Sequence, residues 1–246
     1  MTIRVGVGGW TFESWRGTFY PAGLAHAKEL AFASRALTAI EVNGTFYSTM
    51  SPATYAKWHA ATPDDFMFAL KGPRYAVNRR VLAEAGESIA RFVASGIDRL
   101  EDKLGPLLWQ LAATKRFDPD DIARFLDLLP AHVGDRHLRH VLEPRHPSFD
   151  DPQLTALAAE RGVAVAYADA DQYPCFPVQT AGFTYVRLQN GQNDEPLGYP
   201  DAALDGWVHQ ARAWGAGGRD AFVFFIHGGK VRAPAAATAL LKRLKS

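Results

Sequence analysis

Read for the alternation of apolar and polar positions, the chain shows eight short segments rich in Val, Ile, Leu and Phe. Most are followed by a stretch with helical spacing before the next begins. The strands are expected near 3 to 8, 38 to 43, 65 to 71, 105 to 112, 139 to 143, 163 to 169, 183 to 189 and 221 to 227. Strands alternating with helices pair in parallel. Three helix starts carry a capping side chain ahead of proline: Ser51-Pro52, Asp118-Pro119 and Asp150-Asp151-Pro152. The span 84 to 102 reads as one longer helix. Asp171 to Thr180, broken by Pro174 and Pro177, reads as a loop in place of the sixth helix. No repeat or linker divides the 246 residues, and eight such units need about 250. The expectation is one α/β domain over 1–246, a (β/α)8 TIM-type barrel irregular around its sixth unit.

On a barrel strand, one parity points inward and the other meets the helices. Glu41 and Asn43 alternate with Ile40 and Val42, and Lys71 falls opposite Phe66, Phe68 and Leu70. Tyr185, Arg187 and Gln189 alternate with Val186 and Leu188, and His227 shares the parity of Val223 and Phe225. With Gln110, Glu143 and Asp169 at the ends of their strands, polar groups from seven strands are expected at one mouth. That is the carboxyl end, where barrels of this kind keep their sites. Strand beginnings hold mostly residues such as Ile3, Val163 and Ala221.

Composition narrows the partners. The hydrophobic share is 48%, and 27 basic residues balance 26 acidic ones for a net charge of +1. No global field then draws the chain to an anionic polymer or membrane, and no apolar run is long enough to span a bilayer. The basic stretch Lys71, Arg74, Arg79 and Arg80, with Tyr75, fits a solvated surface better than a nucleic-acid contact. The partner expected is a small molecule, and oligomeric state is left open. A lone Cys175 has no internal disulfide partner, and the start Met1-Thr2-Ile3-Arg4-Val5 lacks a leader's apolar core. A cytoplasmic setting is expected.

The candidate chemistry follows from residue types. Glu41 and Glu143 are candidate acid or base groups, and His146 a proton donor or anion grip, on a stretch stiffened by Pro144 and Pro147. Each has a structural alternative: Glu41 paired with Arg187, Glu143 paired with Arg145, and His146 capping the next turn. Lys71 is an electrostatic clamp or, if desolvated, a Schiff-base nucleophile. Trp10, Asn43, Tyr47, Gln110, Arg145, Asp169, Arg187, Gln189 and His227 are candidate ligand contacts, with Trp10 a wall of the mouth. Asn190-Gly191 and Gly228-Gly229-Lys230 are either phosphate-binding loops or plain turns. No cofactor is predicted; Glu41, Glu143, Asp169, His146 and His227 would suit a divalent metal, but no spaced metal signature is present. Gly6-Val7-Gly8-Gly9-Trp10 is not a dinucleotide fingerprint, because no helix start follows it.

Gly8-Gly9-Trp10, Phe19-Tyr20-Pro21, the block Glu41 to Tyr47, Trp58 with Thr62-Pro63, Phe66 to Lys71, Lys103 to Leu108 with Gln110-Leu111, and Glu143 to Phe149 together resemble the DUF72 family. Its bacterial members include YecE-like and YunF-like proteins. The resemblance implies a TIM-type barrel of unestablished function. It marks as pattern positions Glu41, Asn43, Thr45, Phe46, Tyr47, Lys71, Gln110, Glu143, Arg145, His146, Asp169 and Arg187. The chain departs from the pattern at Leu111-Ala112-Ala113, Val77-Asn78, Gln189-Asn190-Gly191 and Ile226-His227, so polar groups at the mouth have been exchanged. The function expected is carboxylate acid–base chemistry, of hydrolase or lyase type, on a small anionic or polyhydroxylated substrate. The alternative is a non-catalytic protein binding a metabolite or nucleic acid at the same rim.

Overall fold

The computed structural model describes residues 2–226 and 228–245. Its parallel strands are β1 (Ile3–Gly8), β2 (Ala39–Val42), β3 (Met67–Lys71), β4 (Leu104–Gln110), β5 (His140–Glu143), β6 in two pieces (Ala164–Val165 and Tyr167–Asp169), β7 (Phe183–Leu188) and β8 (Asp220–Phe225). Pairing runs in one direction from the first piece of β6 through β5, β4, β3, β2, β1, β8 and β7 to the second piece of β6. Only Ala166 separates the two pieces, and its N–H donates to Leu142 O at 2.9 Å, so the chain itself completes a barrel of eight staves. Apart from these, His132–Val133 and Arg136–His137 form a small antiparallel ribbon.

The expected caps hold the helices. Ser51 accepts from Thr54 N–H, Asp118 from Asp121 N–H and Asp151 from Gln153 N–H, each contributing about 1 kcal/mol. The segment from Asp171 to Thr180 has no helix. The span read as one helix over 84 to 102 is broken: a helix over Gly86–Val93 is followed by 3-10 turns over Ile97–Lys103. The break is at Gly96, whose φ of +101° excludes ordinary side chains and whose missing Cβ would lie 2.7 Å from Pro52.

Two layers of core follow from parity. Val5, Val7, Ile40, Phe68, Leu70, Trp109, Val186, Val223 and Phe225 pack outward against the helices. Inside the barrel, small residues (Ala39, Ala69, Ala164, Ala166) pack with large ones (Tyr185, Phe222, Phe224), the alternation that fills a bore of this size. On β8 the inward residues are thus the phenylalanines, joined by Ile226, and not the parity expected to bring in His227; His227 itself lies outside the described residues. Nor are strand beginnings free of charge: Arg139 lies over the Phe222 ring at 4.8 Å and reaches Asp220 at 3.5 Å. Among the described residues, no helix is long and apolar enough to cross a membrane.

Candidate functional site at the carboxyl end of the barrel

The last inward positions of β2, β3, β4, β5 and β7 are Glu41, Lys71, Gln110, Glu143 and Arg187, and they meet at the upper end of the bore. Arg187 is the hub. Its Nε and Nη2 donate to the two oxygens of Glu41, each at 3.0 Å, and its Nη1 donates to both oxygens of Glu143 at 2.9 and 2.7 Å. Tyr185 donates to Glu41 (2.8 Å), Gln110 to Glu143 (2.9 Å) and Arg145 Nε to Glu143 (3.0 Å). Each of the four carboxylate oxygens therefore accepts at least one hydrogen bond. Glu41 is 0%, Glu143 1% and Arg187 2% exposed, a burial tolerable only with such complete pairing.

The electrostatics follow from this pairing. Burial alone would raise the Glu143 carboxyl, but Arg187 and Arg145, with Gln110, hold it below the usual range. Burial also works against the Arg187 cation, and the two glutamates more than offset it, so its pKa rises. Tyr185 is pushed well above the usual phenol value by burial and then by Glu41, and stays a donor. Lys71 differs. It is 8% exposed, and its Nζ rests 4.2 Å above the Phe46 ring. Among the described residues no carboxylate oxygen comes within 4.0 Å of that nitrogen. Burial first and Arg187 second bring its pKa down to about 8, against the pull of Glu41 and Glu143.

Other expected site residues lie around or away from this cluster. Arg145 stacks on Tyr173, 4.2 Å from its ring. Asn43 sits over Gly8, where an added Cβ would come within 2.9 Å of Nδ2. Gln189 is buried, and among the described residues its Nε2 has no partner. It lines a cavity of about 490 Å³ with Ala170–Tyr173, Asn190–Gln192 and Gly228. Asp169 is not in the cluster: it shares the parity of Tyr167, which packs on Trp207 and Trp214. Trp10 is no wall of the mouth, since it packs edge-on against Trp58 at 5.2 Å and faces the helix Pro52–Ala61. Tyr47 is 66% exposed, against Phe46. His146 takes its structural alternative: Nδ1 accepts from Ser148 N–H (3.0 Å) and caps the turn Pro147–Phe149.

The glycines of the last two loops serve close packing. A Cβ on Gly228 would lie 2.5 Å from Gln189 O, and one on Gly229 2.5 Å from Gln192 N, so the two loops meet backbone to backbone. Among the described residues, no group of three or more His, Cys, Asp or Glu is placed to hold a metal ion. Glu41 and Glu143 converge on a guanidinium instead.

Tyr185 and Tyr173 were not singled out as site residues from the sequence, and Phe46 entered only as a pattern position of the family resemblance. Tyr185 carried a usable signal, since it has the parity of Arg187 two residues earlier. Tyr173 lies in a loop whose path no periodicity describes.

The family model "Protein of unknown function DUF72" matches residues 4–246. The chain belongs to the DUF72 family. Two DUF72 family crystal structures resemble it over its whole length. The one from Thermotoga maritima has 21% identity, 100% coverage of both chains and a TM-score of 0.79. The one from Enterococcus faecalis V583 has 18% identity, covers 100% of this chain and 98% of its own, and has a TM-score of 0.76. A D-psicose 3-epimerase crystallised in the presence of D-fructose shares the barrel at 12% identity, with 96% and 90% coverage and a TM-score of 0.53. At these identities the structural likenesses concern the fold alone. No curated protein matches the chain.

Proposed function

We propose that this barrel is an enzyme acting on a small anionic molecule at its carboxyl end, with Lys71 and Arg145 as the anion's contacts. One observation carries the reading: two carboxylates, Glu41 and Glu143, stand against three cations, Lys71, Arg145 and Arg187. Arg187 is consumed by the glutamates. Arg145 gives Nε to Glu143 and keeps the far edge of its guanidinium for a ligand. Among the described residues Lys71 has no carboxylate within 4.0 Å. An excess positive charge in a desolvated mouth favours an anion, and Gln189 beside the rim cavity adds a neutral hydrogen-bonding group.

This placement reassigns the carboxylates. A base must be able to take up a proton, and Glu143 is held ionised with every oxygen engaged. The glutamates hold Arg187 and set the field around Lys71, which becomes the acid–base group of the site.

Calorimetric titration with inorganic phosphate and with malonate tests the binding. At least one should bind, with affinity falling about tenfold or more in Lys71→Met and in Arg145→Leu, as expected on losing a charged hydrogen bond. Circular dichroism checks that both variants are folded. Absence of binding, or equal binding by the variants, refutes the reading. Incubation with a mixture of anionic cell metabolites tests catalysis: wild type should deplete one of them and Lys71→Met should not. A ligand bound but recovered unchanged would make the protein a binder.

A further inference from the structure

We infer that Lys71 is a covalent nucleophile, its Nζ condensing with the carbonyl group of an anionic aldehyde or ketone to form a Schiff base at the barrel mouth. This rests on the anion-binding reading above and adds to it the carbonyl and the bond.

The contrast with the other lysines drawn into the structure carries the argument. Lys103, buried, donates to His59 O and Thr62 O, each at 2.7 Å. Lys115, half-buried, donates to Arg80 O and pairs with Asp121 at 2.5 Å. Both ammonium groups are tied down, as sequestered cations in a stable fold must be. Lys71 is also buried, at 8% exposure against 3% for Lys103, yet among the described residues its nitrogen has no hydrogen-bond acceptor or salt-bridge partner and rests over the Phe46 ring. The two carboxylates that could have neutralised it are taken by Arg187.

The charged groups around Lys71 are Arg187 and Arg145, which disfavour its ammonium form, and Glu41 and Glu143, which favour it; burial outweighs all four. With its pKa at about 8, Lys71 is mostly ammonium at pH 7 with about a tenth as free amine, far more than an ordinary lysine offers and enough for Schiff-base attack. The residue also ends β3, at the face where barrel enzymes assemble their chemistry. Arg145 supplies the anion's contact from the loop after β5, one strand beyond β3's neighbour β4, so a carbonyl and an acidic group on one small molecule match the two cations.

The step balances without a redox partner. The lone pair of neutral Nζ forms a bond to the carbonyl carbon while the C=O π electrons move to oxygen. The nitrogen gives up a proton and the oxygen takes one, leaving a carbinolamine. With one further proton from solvent, the hydroxyl leaves as water and the nitrogen lone pair closes the C=N bond of the iminium.

The test is reductive trapping. Wild type is incubated with pyruvate or with dihydroxyacetone phosphate, treated with borohydride, digested and mapped by mass spectrometry. Lactate and glycerol 3-phosphate, which carry the same anionic groups without the carbonyl, serve as controls, and binding of all four is measured by calorimetry. The expected result is a reduced adduct on the peptide bearing Lys71 from at least one carbonyl probe. It should be competed by the matching alcohol, rise with pH through about 8 and be absent in Lys71→Arg, which keeps the charge and loses the nucleophile. Probes that bind through Arg145 and Lys71 without an adduct would overturn the Schiff base and leave the anion site standing. If none of the four binds, both readings fall. Adducts spread over surface lysines and unchanged in Lys71→Arg would also overturn the proposal.

Discussion

Replacing Arg187 with methionine is the most searching perturbation of this barrel. The substitution keeps much of the side-chain volume and removes the four hydrogen bonds that neutralise Glu41 and Glu143. Both carboxylates stay in the bore with at most 1% exposure. Removing one partner of a buried ion pair costs about 3 to 5 kcal/mol, because the other charge is left uncompensated. Tyr185, Gln110 and Arg145 still donate to the glutamates, which keeps the loss inside that range and not at double it. For a chain of 246 residues, the corresponding fall in melting temperature is about 6 to 10 °C.

The pH dependence gives a second signature. In the wild type, the carboxyl of Glu143 titrates below its usual range. Its contribution is therefore fully present above the unfolded pKa and lost as pH falls through the depressed folded value. In Arg187→Met burial dominates and the sign reverses. Glu143 then titrates above its unfolded value, so its contribution in the variant is present in acid and lost as pH rises through the raised folded pKa. Urea unfolding at several pH values between about 5 and 8 measures both quantities. The deficit should shrink toward acid, and adding Glu41→Gln and Glu143→Gln should recover most of it at neutral pH. A loss below about 1 kcal/mol, or one that does not change with pH, would refute the buried hub.

His140 accepts from Trp109 Nε1 (3.1 Å) on Nδ1 and pairs through Nε2 with Pro130 O (2.8 Å), so it is buried neutral, with its pKa brought down to about 4 mainly by burial. Because the unfolded chain binds the extra proton first, stability should fall by about 2 kcal/mol from pH 7.5 to 5. His140→Gln should flatten that slope in urea unfolding, and an unchanged slope would remove His140 as its source. Gly96→Ala should cost about 1 to 3 kcal/mol, since its backbone has φ +101° and the new Cβ would meet Pro52. Anion titration of the same variant should be unchanged; a loss of binding would show that the mouth depends on this distant turn.

The barrel was legible because its determinants are local. Apolar runs at regular intervals, capping residues ahead of Pro52, Pro119 and Pro152, and period-two polarity on β2 and β7 each act within a few residues. The same alternation brought Glu41, Lys71, Gln110, Glu143 and Arg187 to one end of the bore. It could not say where parity is hidden. On β6 Asp169 has the outward parity of Val165 and Tyr167, despite being a polar group at a strand end, and on β8 both parities are apolar, so only packing against Ala164, Ala166 and Tyr185 shows that Phe222 and Phe224 point inward. The partition of charge was likewise a tertiary matter. That Arg187 takes both glutamates while Lys71 is left on Phe46 depends on distances among five strands, and a linear chain carries no record of which of three cations is nearest to two anions. Residue types chose the chemistry available at the mouth; closure of the barrel decided which groups are spent holding one another and which amine is left to react.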